Sequence, residues 1–347
     1  MLRPKSTIAF VPREVFSTTE RALTTLYERT KTPFDLVCVD GGSPLQIQSY
    51  LARSAHERGF TLLRTEQYLT PNQARNLALQ YVATPYVVFV DNDVIVSADW
   101  LAPLERCADE TGAWVVGPLY FEHEPELHRL HMAGGLCRVQ EDELGRRYYL
   151  ERHHHAHRVH GELGGHLERH ETELIEFHTV LVAMAAFERL GPLDERLFCH
   201  CEHGDLCLSV RQAGQRVFLE PRSRITYIPP RRLEKADREF FYLRWSEAWA
   251  TASIRHMVEK WNLCPDHPEV KASLEWVREH RRYGSAALAR LRKLIGRKLT
   301  SSLQKRLLNR LEEIYNRAQY PPQRFGQLAS PQVRAVFRSP AQTSQAA

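Results

Sequence analysis

An α/β fold, with a mostly parallel sheet covered by helices on both faces, is predicted for this chain of 347 residues. Two kinds of segment alternate over residues 7–120: short apolar runs rich in β-branched or aromatic residues, and longer stretches with helical periodicity. Such alternation is typical of parallel sheets, because the helices form the crossovers between neighbouring strands. The predicted strands cover residues 7–11, 34–40, 60–64, 86–91 and 113–120, and the predicted helices cover 19–29, 44–58, 71–82 and 99–110.

The remainder of the chain is organised differently. Between residues 121 and 176 the pattern dissolves into His, Glu, Arg and Gly. Regular structure is indicated again over 179–191, followed by a short helix at 204–213 and a strand at 216–220. After Pro229-Pro230 the pattern is helical to about residue 320. We therefore expect an α/β domain at 1–230, with halves at 1–120 and 121–230, a helical C-terminal extension at 231–325, and a disordered tail at 326–347.

The composition restricts the class of protein. An apolar fraction of 43% and a charged fraction of 26% are ordinary for a soluble globular protein. The seven cysteines are odd in number and mostly scattered, which argues against a disulfide framework. No run approaches the roughly 18 apolar residues of a membrane-spanning helix. Because "STIAFVP" enters a strand without an apolar signal segment before it, we expect cytoplasmic residence.

The net charge of +5 conceals one strongly basic segment. Residues 271–320 carry 13 Lys and Arg against 4 Asp and Glu. Apolar residues recur there at helical spacing, which predicts one or two amphipathic helices with a basic face. They are Leu288, Leu291, Ile295, Leu299, Leu303, Leu307, Leu311 and Ile314. Packing on the α/β domain is the favoured interpretation, and docking on an anionic membrane surface is the alternative. Nucleic-acid binding fits less well, because no recognised motif or interleaved aromatic residues accompany the charge.

Two of the predicted strands end in carboxylates. Asp40 closes the second strand in "VCVDGGS", and Asp91 closes the fourth in "YVVFVDND", two residues before Asp93. Ligands of such sheets bind beyond the carboxyl ends of the strands, so these acids should face one crevice. A pair of carboxylates can hold Mg²⁺ or Mn²⁺ against phosphate oxygens. The alternative is a solvated loop whose acids cap the next helix. This interpretation is weaker, because the acids directly follow a buried strand.

Five motifs, in order, resemble those of the family 2 glycosyltransferases, which are enzymes with the GT-A fold. They are "FVPRE", "VCVDGGS", "NQARNLAL", "FVDND", and "FERLGPLDERLF" followed by "CEHGDLCLSVRQAG". Each motif is weak alone, but the five in sequence are specific, and the likeness covers about residues 6–228. The resemblance implies a Rossmann-like sheet, with a nucleotide-sugar donor bound by residues 1–120 and an acceptor facing residues 121–230.

The resemblance also implies roles for single residues. Asp40 would recognise the base of the donor, and Arg75 would support the nucleotide. The positions implied to contact the nucleotide are Pro12, Glu14, Asp40, Arg75, Asp91 and Asn92, and those implied to hold the cation, Mn²⁺ or Mg²⁺, are Asp91 and Asp93. The chemistry is consistent, because a bridging cation stabilises the charge that builds on a departing nucleoside diphosphate.

An acceptor hydroxyl also needs a general base, and here the chain departs from the family pattern. The family's Glu-Asp-x-Asp-Leu is Glu202-His203-Gly204-Asp205-Leu206, so histidine replaces the aspartate usually taken as the base. Glu202, at the expected start of a helix, would be kept ionised by the helix dipole and ranks first. Asp205, about one turn further on, ranks second, and His203, whose imidazole can accept a proton, ranks third.

The second departure concerns the cation. The family often supplies a histidine ligand after the last strand, and Tyr227 occupies that position in "RITYIPP". Because a neutral phenol is a poor ligand for a hard cation, either water or another histidine completes the site, or the dependence on metal is weakened.

Two histidine-containing segments have a simpler interpretation than metal binding. Residues 153–170 contain seven histidines, but their spacing matches no closed zinc pattern, which favours a solvated loop in the acceptor-facing half. The Cys and His residues of 199–207 lack a second ligand pair, which favours packed thiols.

The sequence therefore predicts an inverting, metal-assisted glycosyltransferase that moves a sugar from a nucleoside-diphosphate donor to a hydroxyl acceptor. The acceptor could be a glycan, a lipid-linked molecule or a small molecule, as in polysaccharide biosynthesis. One alternative is a degenerate binding protein that keeps only the donor site. The other is a sugar-phosphate nucleotidyltransferase, which the absence of glycine from "VPREVFSTTER" disfavours.

Overall fold

The computed structural model describes residues 3–163, 167–230, 233–283, 290, 293–294, 296, 299–300, 303–326 and 330–337. The strands are β1 (Ser6–Val11), β2 (Phe34–Gly41), β3 (Thr61–Thr65), β4 (Tyr86–Asp91), β5 (Val94–Val96), β6 (Val115–Glu122), β7 (Leu130–Met132), β8 (Gly135–Glu141), β9 (Arg147–His153), β10 (His170–Glu171), β11 (Thr179–Ala183), β12 (Val217–Tyr227) and β13 (Val333–Phe337). The helices are α1 (Thr19–Arg29), α2 (Leu45–Arg58), α3 (Pro71–Leu79), α4 (Leu101–Thr111), α5 (Met184–Leu190), α6 (Glu202–Gln212), α7 (Arg238–Arg244), α8 (Glu247–Lys260), α9 (Pro268–Tyr283), α10 (Asn309–Gln319) and α11 (Pro322–Phe325).

A large twisted sheet forms the centre of the molecule, with strand order β10-β12-β6-β11-β4-β1-β2-β3-β13. Strands β3, β2, β1 and β4 are parallel neighbours, and β11 is inserted antiparallel between β4 and β6. Strand β12 then pairs in parallel with β6. This mostly parallel α/β sheet confirms the predicted fold class, and it brings the carboxyl ends of β1, β4, β6 and β12 to one edge.

The predicted elements of the first 120 residues match the observed ones closely. Helix α1 has the predicted bounds, and the other helices and strands of this region differ at their ends by at most three residues. At the start of α3, the Thr70 hydroxyl accepts from the Gln73 N–H, and the Gln73 side chain accepts from the Thr70 N–H. This capping box precedes Pro71 at the first helical position, so the local sequence defines the helix start.

Residues 121–176, where the sequence showed no pattern, contain short strands. Strands β8 and β9 form a separate antiparallel hairpin, while β7 and β10 extend the edges of the main sheet. Polar side chains of these strands are half-buried, as His131 and His153 are, while both residues of β10 are exposed. Alternation of apolar and polar residues is therefore lost, which explains why the pattern gave no prediction here.

A buried ion cluster joins the C-terminal helices to one another. The Glu247 carboxylate, at the start of α8, accepts two hydrogen bonds of 2.9 Å from Arg278 of α9. It also accepts from Arg281 at 3.1 Å and from Arg317 of α10 at 3.2 Å. Glu247 is 3% exposed and Arg281 is fully buried. The Glu247 carboxylate thus connects α8, α9 and α10, and the buried charges of Glu247 and Arg281 are paired with each other.

Removing the charge of Glu247 should destabilise this packing. Burial raises the pKa of Glu247, but the bonds and charges of Arg278 and Arg281 outweigh it and lower the pKa to about 2. A lowered pKa gives a stabilisation that is present above the ordinary carboxyl pKa and is lost as the pH falls towards 2. We expect Glu247→Gln to lose about 3 kcal/mol in urea unfolding at pH 7, and less at pH 3.

The matched control is Glu279→Gln, on the exposed face of α9. It should change the free energy of unfolding by less than about 0.5 kcal/mol at either pH. Equal losses in the two variants would contradict a specific role for Glu247.

The tail prediction was wrong for residues 333–337. These residues form β13, which pairs antiparallel with β3 at the edge of the sheet. The segment reads Val-Arg-Ala-Val-Phe, a short apolar run of the kind that forms strands, whereas the residues after it, which lack core-forming side chains, had suggested disorder for the whole tail. Residues 338–347 lie outside the described residues. Among the described helices, none combines the length and the apolarity that crossing a membrane would require.

Candidate active site

A cavity of about 940 Å³ opens at the edge of the sheet where β1, β6 and β12 end. Its wall includes Arg13 after β1, Glu122 at the end of β6, and Tyr227 at the end of β12. Helix α9 contributes a stripe of residues, among them Trp276 and His280. The C-terminal extension therefore forms part of the cavity wall, which the sequence did not indicate.

Next to this cavity, a buried cluster consists of Asp91, Asp93 and His178. One possible ligand atom from each lies within 4.8 Å of the other two. Strand pairing brings them together, because the Asp91 N–H donates to the His178 carbonyl at 3.0 Å where β4 meets the start of β11. Both oxygens of Asp93, Oδ2 of Asp91 and Nδ1 of His178 are buried without a hydrogen-bond partner. Arg13 forms ion pairs with Asp91 Oδ2 and Asp93 Oδ2, but buried atoms without hydrogen bonds are costly, and a bound cation would be a ligand partner for all of them.

The electrostatics of the cluster agree with a cation site. Burial raises the pKa of Asp93 well above its usual value despite the attraction of Arg13, and the charge of Asp91 adds to the rise. Burial, with the charge of Arg13, lowers the pKa of His178 to about 3, so its imidazole is neutral and can act as a ligand. Its Nε2 lies 3.1 Å from Oε2 of Glu176, which fixes Nδ1 as the nitrogen facing Asp91.

The residues present fit a divalent cation with a preference for oxygen ligands. Asp91 and Asp93 would supply carboxylate oxygens and His178 a nitrogen, a set suited to Mn²⁺ or Mg²⁺. Of the three possibilities left open by the sequence, namely water, another histidine or a weakened dependence on metal, the position of His178 favours another histidine. Tyr227 instead donates a hydrogen bond of 2.7 Å to Glu14 and packs 4.1 Å from the His178 ring.

Arg13 is the cationic partner of the cluster. Its guanidinium lies 3.2 Å from Asp91 Oδ2, 3.2 Å from Glu14 Oε1 and 3.9 Å from Asp93 Oδ2. It also lines the cavity and sits over the Tyr227 ring at 4.9 Å. The Arg13 guanidinium, between the acids and the cavity, can form charge-assisted hydrogen bonds with an anionic ligand. The sequence motif "FVPRE" contains Arg13 but did not indicate this role.

Glu14 and Asn92, which the resemblance assigned to the nucleotide, are engaged within the protein. The Glu14 carboxylate is fully buried and accepts from Tyr227 and Trp245, each at 2.7 Å, and contacts His280 at 3.0 Å. The Asn92 amide binds backbone groups of the loop after β1. Pro12 lies in this loop and is buried. These side chains shape the loop that holds Arg13, and none of the three lines the cavity.

Asp40 lies at the same sheet edge as Asp91, with β1 between their strands, but its carboxylate is occupied. It forms an ion pair with Arg64 and accepts from the Ser43 N–H at 3.0 Å. Asp40 is 2% exposed and does not line the large cavity. Nearby, the Phe240 ring of α7 stacks between Phe16 and Tyr68 at 5.1 and 5.2 Å.

Arg75 joins the acidic cluster to the cavity. Its guanidinium donates to Asp91 Oδ1 at 3.1 Å and lies over the Phe177 ring at 3.8 Å. Asn72, one turn earlier on α3, accepts from it at 3.2 Å. Held on three sides, Arg75 presents a fixed positive charge in the cavity wall.

At the opposite wall, Glu202 begins α6 and reaches the cavity. Arg244 donates to its Oε1 at 3.3 Å from two nitrogens. Burial raises the pKa of Glu202, but the charges of Arg244 and Arg75 outweigh it, and the net pKa lies below the usual value. The carboxylate is therefore ionised at neutral pH, which is the form that can accept a proton.

The other two candidates for the base have different surroundings. Asp205 accepts from Lys260 Nζ at 2.7 Å and from Trp261 Nε1 at 2.8 Å, and it does not line the cavity. His203 lines the cavity 3.1 Å from Glu151. Burial lowers its pKa, but Glu151 outweighs burial and raises the pKa to about 9, so His203 is protonated at neutral pH. The geometry and the charge both favour Glu202.

The histidine-rich segment is only partly a solvated loop. His153 ends β9, and it lines the cavity together with His157. His155 and His170 are exposed, and His166 lies outside the described residues. Cys199, Cys201 and Cys207 are buried free thiols, as the packed-thiol interpretation of residues 199–207 predicted, and the other four cysteines are also free.

One family profile matches the N-terminal part of the chain. Residues 13–168 match the profile described as Glycosyl transferase family 2, which confirms the resemblance over this region. Among curated proteins, none matches the chain significantly.

Several solved structures are similar to this chain at low sequence identity. The crystal structure of GalNAc-T7 with UDP, GalNAc and Mn²⁺ has a TM-score of 0.51 at 16% identity; the match covers 84% of this chain and 57% of that one. The mannosyltransferase PcManGT from Pyrobaculum calidifontis, in complex with GDP-Man and Mn²⁺, matches with a TM-score of 0.49 at 15% identity, over 91% of this chain and 85% of that one. TarS 1–349 of S. aureus matches with a TM-score of 0.46 at 15% identity, over 94% and 93%. The first of these similarities confirms the GT-A fold.

Proposed function

Because residues 13–168 match glycosyl transferase family 2, we propose that this chain transfers a sugar from a nucleoside-diphosphate donor to a hydroxyl acceptor. The observation that carries the proposal is the buried Asp91, Asp93 and His178 cluster, with unpaired ligand atoms beside a cavity that also holds Glu202. Mn²⁺ or Mg²⁺ at this cluster would offset the charge of the donor's phosphates.

The chain's own residues supply the remaining steps. Arg13 and Arg75 bind the diphosphate through charge-assisted hydrogen bonds as negative charge develops on it. Glu202 accepts the proton of the acceptor hydroxyl as that oxygen attacks the anomeric carbon. The direct attack inverts the configuration of that carbon. Inversion follows from the family resemblance and from the lack of an evident nucleophile for a two-step route in the described site.

A binding protein without turnover is the second candidate. Two observations favour it: Arg64 occupies the Asp40 carboxylate, and Arg13 is paired with Asp91 and Glu14. In that case the cavity would bind a nucleotide sugar without an acceptor reaction.

One experiment separates the candidates. The protein is incubated with Mn²⁺, a panel of nucleotide sugars and a panel of acceptors, and released nucleoside diphosphate is measured. Release of the diphosphate supports transfer, while saturable donor binding without release supports the binding protein. Pyrophosphate formed from a nucleoside triphosphate and a sugar phosphate would instead indicate the nucleotidyltransferase.

Contact with an anionic membrane surface is part of the proposal, with lipid-linked molecules as one class of acceptor. In the basic C-terminal region, Leu303, Leu307, Leu311 and Ile314 are between 37% and 64% exposed, and Leu299 is 66% exposed. Leu288, Leu291 and Ile295 lie outside the described residues. Exposed leucines at helical spacing beside Arg and Lys suit the surface of an anionic bilayer.

Vesicle flotation tests this contact. The protein should float with phosphatidylglycerol vesicles but not with phosphatidylcholine vesicles, and binding should weaken at high salt. The Leu307→Asp/Leu311→Asp double variant should bind at least about tenfold less, since each leucine contributes buried apolar area. Leu144→Asp is the control, because Leu144 is 75% exposed on the distant β8–β9 turn. Unchanged flotation of the double variant would refute the contact.

A further inference from the structure

Beside the acidic cluster, a second group of possible ligands lines the cavity: His131, His153 and Glu176. One ligand atom from each lies within 4.8 Å of the other two. His131 Nε2 is 2.8 Å from Glu176 Oε2, and His153 Nε2 is 3.3 Å from Glu176 Oε1. The two imidazoles therefore approach the two oxygens of one carboxylate, each through the same type of nitrogen.

We propose that His131, His153 and Glu176 form a second metal site, which binds a divalent transition-metal ion of the Zn²⁺ type. Zn²⁺ binds imidazole nitrogens at about 2.0–2.1 Å, so two ligands of a tetrahedral site are about 3.3 Å apart. The observed separations of 2.8 and 3.3 Å need little adjustment to meet that spacing. Two histidines and one glutamate are a recurring zinc set in which a fourth position stays open.

The surroundings support the site. His131 Nδ1 faces Glu122 Oε2 at 3.6 Å, so a carboxylate stands behind the ligand, as it commonly does for metal-bound histidines. Glu151 lies 3.3 Å from His153 Nε2 and adds a further carboxylate oxygen. All three proposed ligands line the cavity, so water or an oxygen of a bound molecule can fill the open position.

The second site differs chemically from the first. Asp91 and Asp93 offer hard oxygen ligands, whereas His131 and His153 offer two nitrogens, which Zn²⁺, Co²⁺ and Ni²⁺ accept more readily than Mg²⁺. The three ligands come from β7, from the end of β9 and from the loop before β11. An ion here would therefore link β7, β9 and the loop before β11, in the half of the α/β domain whose sequence shows little periodicity. The proposal does not depend on the glycosyltransferase activity.

Metal content tests the proposal on the full chain. After removal of metals with a chelator, the protein is dialysed against Zn²⁺, and bound zinc is counted by mass spectrometry. We expect about one tightly bound Zn²⁺ per chain, retained in Asp93→Asn and lost in His131→Gln/His153→Gln. Zn²⁺ should raise the melting temperature of the wild-type protein and of Asp93→Asn, but not that of the double variant.

A matched control uses two exposed histidines of the same region. His155→Asn/His170→Ala removes as many histidines and should bind zinc normally. Far-UV circular dichroism verifies that the His131/His153 variant is folded. In the wild-type protein, Co²⁺ should give visible absorption bands typical of mixed nitrogen and oxygen coordination.

The outcomes are distinct. The second site is refuted if the wild-type protein binds no stoichiometric Zn²⁺ and shows no Co²⁺ bands. It is also refuted if substitution of the exposed pair, His155 and His170, removes as much bound zinc as substitution of His131 and His153. Those results would leave the proposed transferase untouched. Loss of zinc in Asp93→Asn alone would instead place the ion at the acidic cluster and also refute the second site.

Discussion

Asp93→Asn should reduce Mn²⁺-dependent release of nucleoside diphosphate by at least about 10²–10³-fold, the range typical for removing one group that stabilises developing charge. Both carboxylate oxygens of Asp93 are buried without hydrogen-bond partners, and its pKa is raised chiefly by burial. Asparagine keeps the shape of the side chain but removes the charge that a cation would balance. The measurements are steady-state turnover and, by electron paramagnetic resonance, Mn²⁺ binding.

A control on the loop after β5 separates this effect from the loss of any nearby negative charge. Asp99→Asn changes a carboxylate that is 53% exposed and 3.3 Å from Lys31, outside the cluster. Its turnover and Mn²⁺ binding should equal those of the wild-type protein. His178→Ala should weaken Mn²⁺ binding together with turnover. If Asp93→Asn turned over normally, the assignment of the cation site would be wrong.

The parts of this site that the sequence predicted are those tied to regular elements. Asp91 and Asp93 follow an apolar strand whose end is visible in "YVVFVDND", and the rule that ligands bind beyond carboxyl ends placed them at the site edge. Glu202 was ranked first because it begins a helix, and the structure places it in the cavity wall.

His178 could not be predicted, because its position depends on a register between distant strands. Strand β11 pairs antiparallel with β4, Thr179 opposite Val90, and this alignment brings His178 beside Asp91. Nothing in "EFHTVLVAM" indicates which strand it will pair with or in which direction. Trp276 and His280 were missed for a similar reason, since the docking of α9 on the cavity is a tertiary contact between distant segments.

Pairing between side chains likewise escaped prediction. Asp40 is at the expected edge, yet Arg64 from β3 occupies its carboxylate. Asn92 lies between the two acids, yet its amide holds the loop after β1. A motif gives the position of a polar side chain on the backbone, whereas its partners depend on neighbouring strands and loops.

Glu202→Gln should lower kcat by about 10²–10⁴-fold while donor binding changes little, because it removes a proton acceptor and preserves the side chain's shape. Arg244 can still donate to the remaining amide oxygen, so the wall of the cavity should persist. Since its pKa lies below the usual carboxyl value, wild-type kcat should stay constant as the pH falls towards the ordinary carboxyl range and decline only below it. Turnover as a function of pH, with donor affinity from titration calorimetry, gives both quantities.

The competing assignment is tested by Asp205→Asn. Because Lys260 and Trp261 occupy the Asp205 carboxylate away from the cavity, this change should lower the free energy of unfolding by about 1–3 kcal/mol and leave kcat nearly unchanged. Glu188→Gln, on the exposed side of α5, should alter neither quantity. A large loss of kcat in Asp205→Asn, with Glu202→Gln still active, would move the base to Asp205. The geometry favours the opposite result, since the ionised Glu202 carboxylate lines the cavity and Asp205 does not.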